Sequence, residues 1–209
     1  MDVATFVEEI KVPFRMSVAS KSNSGKTHLV SQIIEKLLKQ GKIYLAFVQS
    51  NTFGINDDYA FLPKKCKGKF DPAKLEELMS FQAKVPQDKR KQILVILDDV
   101  LGDRSAENNQ AIMSFYARGR HSNISVILNS QVANRVLSPA VKENSCYILY
   151  SRLNRQQLAI LWESITNMDK GEFIKFSEYV NKNYNFVVID NTTHSNNPAE
   201  FLKIVRAEK

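Results

Sequence analysis

Residues 20–27 read Ser-Lys-Ser-Asn-Ser-Gly-Lys-Thr, a polar segment between an apolar run and an amphipathic stretch. The octet matches the phosphate-binding loop pattern at Gly25, Lys26 and Thr27, and departs from it at Ser20, where the pattern has its first glycine. In this pattern the glycine lets backbone N–H groups point at phosphate oxygens, the lysine brings positive charge to the β- and γ-phosphates, and the threonine hydroxyl is a hard ligand for Mg²⁺. The alternative is a serine- and glycine-rich turn before an ordinary helix.

The residues on either side favour the phosphate-binding loop. Residues 14–19 read as a buried strand, and apolar residues recur at helical spacing from Leu29 to Leu38 before Gly41 ends the pattern. A strand, a loop and a helix in this order place the positive end of the helix dipole at the phosphates. The predicted nucleotide-binding residues are Ser22, Asn23, Ser24, Gly25, Lys26, Thr27 and His28.

Strand and helix patterns alternate along the rest of the chain. The predicted strands are Lys42–Gln49, Gln92–Asp98, Ser125–Ser130, Cys146–Tyr150 and Asn185–Asp190. The predicted helices are Pro72–Lys84, Ala106–Arg118, Arg155–Ser164, Lys170–Asn181 and a short one over Pro198–Val205. Apolar strands that alternate with helices predict an α/β fold, a three-layer sandwich with a mostly parallel central sheet, in one domain over residues 1–209.

Composition narrows the classes of protein. The chain has 209 residues, a net charge of +7 and two cysteines. It shows neither an apolar run long enough to span a bilayer nor a signal segment, and it has no disulfide framework, so we expect a protein of a reducing interior compartment. We predict that Cys146 is a core residue and that Cys66 is a solvated loop residue or, as an alternative, an activated thiol. The positive charge permits a polyanionic partner without requiring one.

A second motif accompanies the first. Residues 93–97 are apolar and run into Asp98 and Asp99, the Walker B pattern, and acids at the end of a buried parallel strand face the crevice where ligands bind. We assign Asp98 to the Mg²⁺ shell and expect Asp99 to orient or deprotonate an attacking water. A simple strand-ending turn is the alternative.

Residues 115–131 combine a helix end, a basic turn and a buried strand. Gln131 at the end of that strand is predicted to sense the γ-phosphate or the attacking water, with Asn129 as a second candidate; we expect strand alternation to bring only one of them to the site. Arg118 and Arg120 are candidates for an arginine finger given to a neighbouring subunit, with capping of the helix C-terminus as the alternative. Lys142 is either a phosphate or DNA contact or a surface residue.

The base is predicted to be adenine. A guanine-specific switch protein needs an Asn-Lys-x-Asp motif, and Asn181-Lys182-Asn183-Tyr184 lacks its acid.

The long Ser50–Asp71 loop is a candidate for a pore or a subunit interface, because loops of this length in compact domains are usually functional or disordered. It combines four aromatic residues with four lysines: Phe53, Tyr59, Phe61, Phe70, Lys64, Lys65, Lys67 and Lys69.

These residues resemble the FtsK–HerA superfamily of P-loop ATPases, and most of all the poxvirus-type genome-packaging ATPases of large DNA viruses and virophages. The resemblance rests on Ser24-Gly25-Lys26-Thr27, Leu97-Asp98-Asp99, Gly119-Arg120-His121 and Gln131, and covers about residues 14–150 and the last strand, 186–191. The chain departs from the family at two positions: Ser20 replaces the first glycine of the loop, and Asp99 replaces the usual Glu. Both departures bear on the rate of turnover more than on nucleotide binding.

The resemblance implies a RecA-like ATPase that uses ATP and Mg²⁺ to move double-stranded DNA into a capsid as a homo-oligomeric ring, a hexamer or a pentamer. It further implies a capsid vertex or portal protein as a partner, no membrane partner, and a viral protein acting in the host cytoplasm or a virus factory, or associated with the virion. The short chain itself leads us to expect something close to a bare motor domain, with no fused processing or anchoring domain.

Two other classes of function stay open at this stage. A small-molecule kinase with a phosphate-binding loop needs an arginine-rich lid, of which Arg152 and Arg155 give a faint version, and an acceptor pocket, of which the sequence gives no sign. A nucleotide-dependent assembly or scaffold protein would bind ATP with little turnover, which the departures at Ser20 and Asp99 allow.

Overall fold

A computed structural model of the chain describes residues 1–51, 58–100, 106–131, 136–163, 168–180, 184–193, 195 and 197–208, without the side chains of residues 106–109. Predictions that involve Phe53, Ser164 and the Asn181-Lys182-Asn183 segment lie outside the described residues.

The described strands form one eight-stranded sheet in the order β3-β2-β4-β5-β1-β6-β7-β8. The strands from β3 to β6 in this order run parallel, and β7 and β8 pair antiparallel at one end. The mostly parallel sheet predicted from the sequence is therefore confirmed. The bounds are β1 Arg15–Ser20, β2 Leu45–Ser50, β3 Lys67–Gly68, β4 Ile93–Asp98, β5 Ile124–Ser130, β6 Tyr147–Ser151, β7 Asn185–Asp190 and β8 Leu202–Arg206.

Helices cover both faces of this sheet. Side chains alternate along each strand, so that Met16 and Val18 of β1 join one apolar cluster with α1 and α2, while Ala19 joins the other cluster with α3 and α4. The predicted three-layer arrangement is thus present. The helices are α1 Val3–Glu9, α2 Lys26–Lys39, α3 Pro72–Lys84, α4 Ala106–Arg118, α5 Pro139–Asn144, α6 Arg155–Trp162, α7 Lys170–Val180 and α8 Pro198–Phe201.

Parallel pairing brings the ends of the central strands to one edge. Ser20 at the end of β1 is level with Ser151 of β6, and Asp98 at the end of β4 is level with Ser50 of β2 and Asn129 of β5. Each of these residues is buried, so their polar groups need partners close by. This edge, called here the carboxyl edge, positions the candidate site.

The structure corrects three predictions of the sequence. The helix predicted over Pro198–Val205 ends at Phe201, and β8 follows because residues 202–206 pair with the exposed edge of β7. Cys66 is only 2 % exposed, because the 3-10 helix Lys64–Cys66 folds the long loop inward before β3. Cys146, predicted in the core, is half-buried at its margin.

The terminal elements are joined by one lysine. Lys203 of β8 lies 2.7 Å from a carboxylate oxygen of Glu9 at the end of α1 and 2.8 Å from Asp190 of β7, which is 5 % exposed. The partner carboxylates raise the pKa of Lys203 against the effect of its own burial. The charge of Asp190 therefore depends on Lys203 for compensation.

Replacing Lys203 with methionine is expected to lower the free energy of unfolding by roughly 2–3 kcal/mol, because it leaves the buried carboxylate of Asp190 with hydrogen bonds from Thr192 but without its positively charged partner. Urea denaturation monitored by circular dichroism measures the change. Lys74→Met is the matched control, since Lys74 and Asp71 form a largely exposed pair at 3.9 Å whose loss should cost under about 1 kcal/mol. Equal losses in the two variants would contradict this role for Lys203.

Candidate functional site

The phosphate-binding loop leaves β1 at the carboxyl edge and enters α2. Gly25, the N-cap of α2, has φ +82°, a left-handed conformation that glycine adopts without strain. A Cβ at this position would lie 3.1 Å from Cδ1 of Tyr184, so a side chain here would be both strained and crowded. Local geometry therefore requires the glycine of the Gly-Lys-Thr motif.

Ser20, the departure from the loop pattern, has a clear structural role. It is the last residue of β1, with the extended backbone of that strand, so the position does not require a glycine. Its hydroxyl lies 2.6 Å from the hydroxyl of Ser24, and both side chains are buried. This hydrogen bond joins the first and fifth residues of the loop and holds its curvature from inside.

The buried acid of β4 is held from two sides. Asn129 of β5 donates from Nδ2 to Oδ1 of Asp98 at 2.6 Å, and the hydroxyl of Tyr59 donates to Oδ2 at 2.9 Å. Burial and the neighbouring carboxylate of Asp98 raise the pKa of Tyr59 well above its ordinary value, which keeps its hydroxyl a proton donor. Asp98 therefore has both carboxylate oxygens engaged.

Lys26 faces this acid from the first turn of α2. Burial lowers the pKa of the Lys26 ammonium, while the carboxylates of Asp98 and Asp99 act in the opposite direction. Burial raises the pKa of Asp98, against the attraction of Lys26 and the hydrogen bonds it accepts. A poorly hydrated ammonium at the start of a helix is well suited to bind a multiply charged anion such as a triphosphate.

Asp99, the second acid, has a left-handed backbone with φ +55° and donates its N–H to the carbonyl of Asn129 at 2.8 Å. Gln131 faces it, with its backbone N–H 3.4 Å from Oδ1 and its side-chain Nε2 3.4 Å from Oδ2. The hydroxyl of Ser22 in the loop donates to Oε1 of Gln131. Gln131 therefore connects the second acid with the phosphate-binding loop.

The expectation that only one of Asn129 and Gln131 faces the site is wrong. Both reach the acidic pair, Asn129 at Asp98 and Gln131 at Asp99. Strand alternation does not separate the two residues, because positions two apart lie on the same side of a strand, and Gln131 follows directly after the last residue of β5.

The donor set fits a magnesium ion. Asp98 and Thr27 offer the hard oxygen ligands that Mg²⁺ prefers, and Oδ1 of Asn129 is a buried oxygen beside Asp98 for which the described residues provide no hydrogen-bond partner. Within the described part of the chain, no group of three or more His, Cys, Asp and Glu side chains could hold a metal. Mg²⁺ bound with a nucleotide usually takes only one or two protein ligands and completes its shell with phosphates and water.

Other predicted residues lie further from this centre. His28 is in the first turn of α2, and its Nε2 lies 2.8 Å from the carbonyl of Glu208 and 2.9 Å from Nε2 of Gln32. Lys142, expected at DNA, at a phosphate or on the surface, is instead 8 % exposed and donates to the carbonyl of Ile160. The carbonyl acts as the partner that a buried ammonium needs.

Arg118 and Arg120 lie before the start of β5, at the opposite edge of the sheet from the phosphate-binding loop. Both are exposed, and Arg118 contacts Glu76 of α3 at 3.2 Å. Gln82 and Arg90 donate to the carbonyls of Ser122 and His121 in this turn. This position separates both arginines from the phosphate-binding loop of the same chain.

Arg152 and Tyr184 form a pair beside the phosphate-binding loop. The sequence analysis did not assign either residue to the nucleotide site. The guanidinium of Arg152 lies 5.1 Å from the ring centre of Tyr184 and donates to the carbonyl of Asn23 at 3.2 Å. Both residues, like Asn23 and Asp99, have positive φ between 52° and 59°, and such strained backbone collects at functional sites. Their places directly after β6 and directly before β7 are the signal that could have identified them.

Known proteins share the sequence pattern and the fold of this chain. A sequence model described as the poxvirus A32 protein matches residues 6–201. The chain belongs to the poxvirus A32 protein family. The resemblance to poxvirus-type packaging ATPases is thereby confirmed. A search of curated proteins found no match.

Solved structures share the fold at low sequence identity. The DNA-packaging ATPase B204 of Sulfolobus turreted icosahedral virus is 17 % identical with a TM-score of 0.68, over 96 % of this chain and 100 % of that one. The genome-packaging NTPase B204 of Sulfolobus turreted icosahedral virus 2, solved with AMPPCP, is 16 % identical with a TM-score of 0.64, over 96 % and 100 %. The conjugation coupling protein TcpA of pCW3, solved with ATPγS, is 14 % identical with a TM-score of 0.59, over 86 % and 58 %. The predicted P-loop NTPase fold is confirmed.

Proposed function

We propose that the protein is an ATP-hydrolysing motor that translocates double-stranded DNA and packages a viral genome into a capsid. The observation that carries this proposal is the meeting of Lys26, Asp98, Asp99 and Gln131 at the carboxyl edge, around a loop whose glycine has the required left-handed backbone. Membership of the poxvirus A32 family and the fold of the viral packaging ATPases support it.

Each residue has a proposed task in hydrolysis. The loop from Ser22 to His28 binds the phosphates, and the Lys26 ammonium neutralises charge that develops in the transition state. Thr27 and Asp98 would hold Mg²⁺, which supplies further neutralisation of phosphate charge when it is bound. Asp99 accepts a proton from the attacking water or orients it, and Gln131 positions that water against the γ-phosphate.

The proposed motor works as a homo-oligomeric ring, a hexamer or a pentamer, with residues 1–209 as one motor domain and a capsid vertex or portal protein as its partner. DNA contacts in such a ring go mainly to phosphates, which suits the exposed lysines 64, 65 and 69 of the loop before α3. Tyr59 of that loop is buried against Asp98, so it is not a pore residue.

Of the helices described, none has the length and apolar character needed to span a bilayer. We place its action in the host cytoplasm, a virus factory or the virion.

Steady-state ATP hydrolysis with and without long double-stranded DNA, at low and moderate salt, tests the proposal. We expect stimulation that falls as salt rises, since phosphate contacts are screened. Transfer of phosphate to an added nucleoside would favour a kinase. Arg155, a candidate for the arginine-rich lid of a kinase, forms an ion pair with Glu178 at 2.7 Å. ATP-dependent assembly without hydrolysis would favour a scaffold. Either result would contradict the proposed motor.

The exposed arginines allow a test of the ring. Arg120→Ala protein is expected to lose most hydrolysis, because a finger supplied in trans contributes about 10³-fold or more to the rate. Mixing it with Lys26→Ala protein should restore part of the activity, since some interfaces then combine an intact loop with an intact finger. Arg118→Ala, mixed in the same way, identifies which arginine acts. If no mixing ratio restores activity for either variant, the finger lies elsewhere.

A further inference from the structure

Tyr59, from the long loop after β2, reaches the first acid of the site from outside the central strands. Its side chain is only 7 % exposed, and its hydroxyl donates to Oδ2 of Asp98 at 2.9 Å. Asn129 holds the other oxygen at 2.6 Å. The carboxylate is therefore fixed by two donors that belong to different parts of the fold, and it cannot rotate without losing one of them.

The position of this hydroxyl is set by packing and by a lysine. The ring of Tyr59 belongs, with Leu62, to the apolar cluster that contains Val48 and Ile96. The carbonyl of Tyr59 accepts from the backbone N–H of Leu62 at 3.0 Å and from Nζ of Lys67 at 3.1 Å. Lys67 begins β3 and pairs with Val48 of β2, so the sheet edge itself holds the tyrosine.

We infer that Tyr59 is a positioning residue for Asp98, whose hydroxyl orients the carboxylate for the divalent cation of the bound nucleotide. The inference rests on the proposed function, in which Asp98 contributes to the magnesium site. Hydrogen-bond donors behind a ligand carboxylate fix its orientation, and their loss weakens metal binding or activity by roughly 10- to 100-fold. Neither local motif contains this residue, which lies 39 positions before Asp98 in the sequence.

Removal of the single hydroxyl tests the role. Tyr59→Phe keeps the buried ring and deletes the donor to Asp98. The matched control is Tyr116→Phe, because Tyr116 is 1 % exposed and its hydroxyl lies 2.8 Å from that of Ser145, at the opposite edge of the sheet. Lys67→Met is a second variant, which removes the contact to the Tyr59 carbonyl while retaining the tyrosine hydroxyl.

The measurement is Mn²⁺ binding by electron paramagnetic resonance, with the protein saturated by a non-hydrolysable ATP analogue, so it does not depend on turnover. We expect Tyr59→Phe to weaken Mn²⁺ binding by about tenfold. Lys67→Met should give a smaller loss in the same direction, and Tyr116→Phe should bind as the unmodified protein does. Affinity for the analogue without metal should be the same in all four proteins.

Two results separate this inference from the proposed function. If the unmodified protein binds Mn²⁺ with the analogue and Tyr59→Phe binds it equally well or more tightly, the inference is overturned and the proposed function stands. If the unmodified protein binds no Mn²⁺ with the analogue, both are contradicted.

Discussion

Lys26→Ala protein is expected to bind ATP about 30- to 5,000-fold more weakly than the unmodified protein, because truncating one partner of a buried charge pair costs roughly 2–5 kcal/mol. The ammonium of Lys26 is buried at the start of α2, where burial lowers its pKa and a triphosphate would be its strongest partner. Equilibrium binding of a fluorescent ATP analogue measures the loss.

The control for this substitution is Lys21→Ala, in the same loop but exposed. It should change affinity by less than a few-fold, since exposed charges contribute little. Thermal unfolding of Lys26→Ala should be recorded beside the binding curve, because the substitution also removes the positive charge that offsets the burial of Asp98. Tight ATP binding by a folded Lys26→Ala protein would contradict the assignment of the loop.

Asp99→Asn protein is expected to bind ATP normally and to hydrolyse it about 10²- to 10⁴-fold more slowly, the range for loss of a general base. Asparagine has nearly the shape of aspartate and tolerates a left-handed backbone, so the φ of +55° at this position should persist. Single-turnover hydrolysis separates the chemical step from binding.

Asp88→Asn, at an exposed position in the 3-10 helix Gln87–Lys89, is the control and should hydrolyse ATP at the unmodified rate. The short side chain of Asp99 makes this variant informative, because the resembled family has Glu there. A hydrolysis rate within about tenfold of that of the unmodified protein would exclude Asp99 as the general base. The attacking water would then be oriented by Gln131 without a general base at residue 99.

Local sequence was enough to predict the elements that carry the site. The octet at residues 20–27, the acids after β4 and the glutamine after β5 each follow a buried apolar run, and parallel pairing brings the ends of such runs together. The bounds of α3 and α4 were also predicted correctly, helped by Pro72 at the first turn and the apolar spacing of α4.

The residues that sequence reasoning missed depend on contacts between distant segments. Tyr59 was interpreted as part of a loop that forms a pore or a subunit interface, because neither periodicity nor motif shows that its hydroxyl meets Asp98. Residues 202–205 were predicted as helix, and they belong to β8 because β7 offers an edge for pairing. Arg152 and Tyr184 converge on the loop because β6 pairs with β1, and the antiparallel pairing of β7 with β6 brings the start of β7 to the same edge of the sheet.

We propose that ATP hydrolysis moves this protein along duplex DNA. Displacement of a labelled third strand from a triplex at the end of a long duplex tests it most directly, because a motor that moves along the duplex strips the third strand. We expect displacement that requires ATP and Mg²⁺, takes longer as the distance to the triplex grows, and is absent in Lys26→Ala and Asp99→Asn proteins. Hydrolysis stimulated by DNA without any displacement, under conditions where rings form, would contradict it.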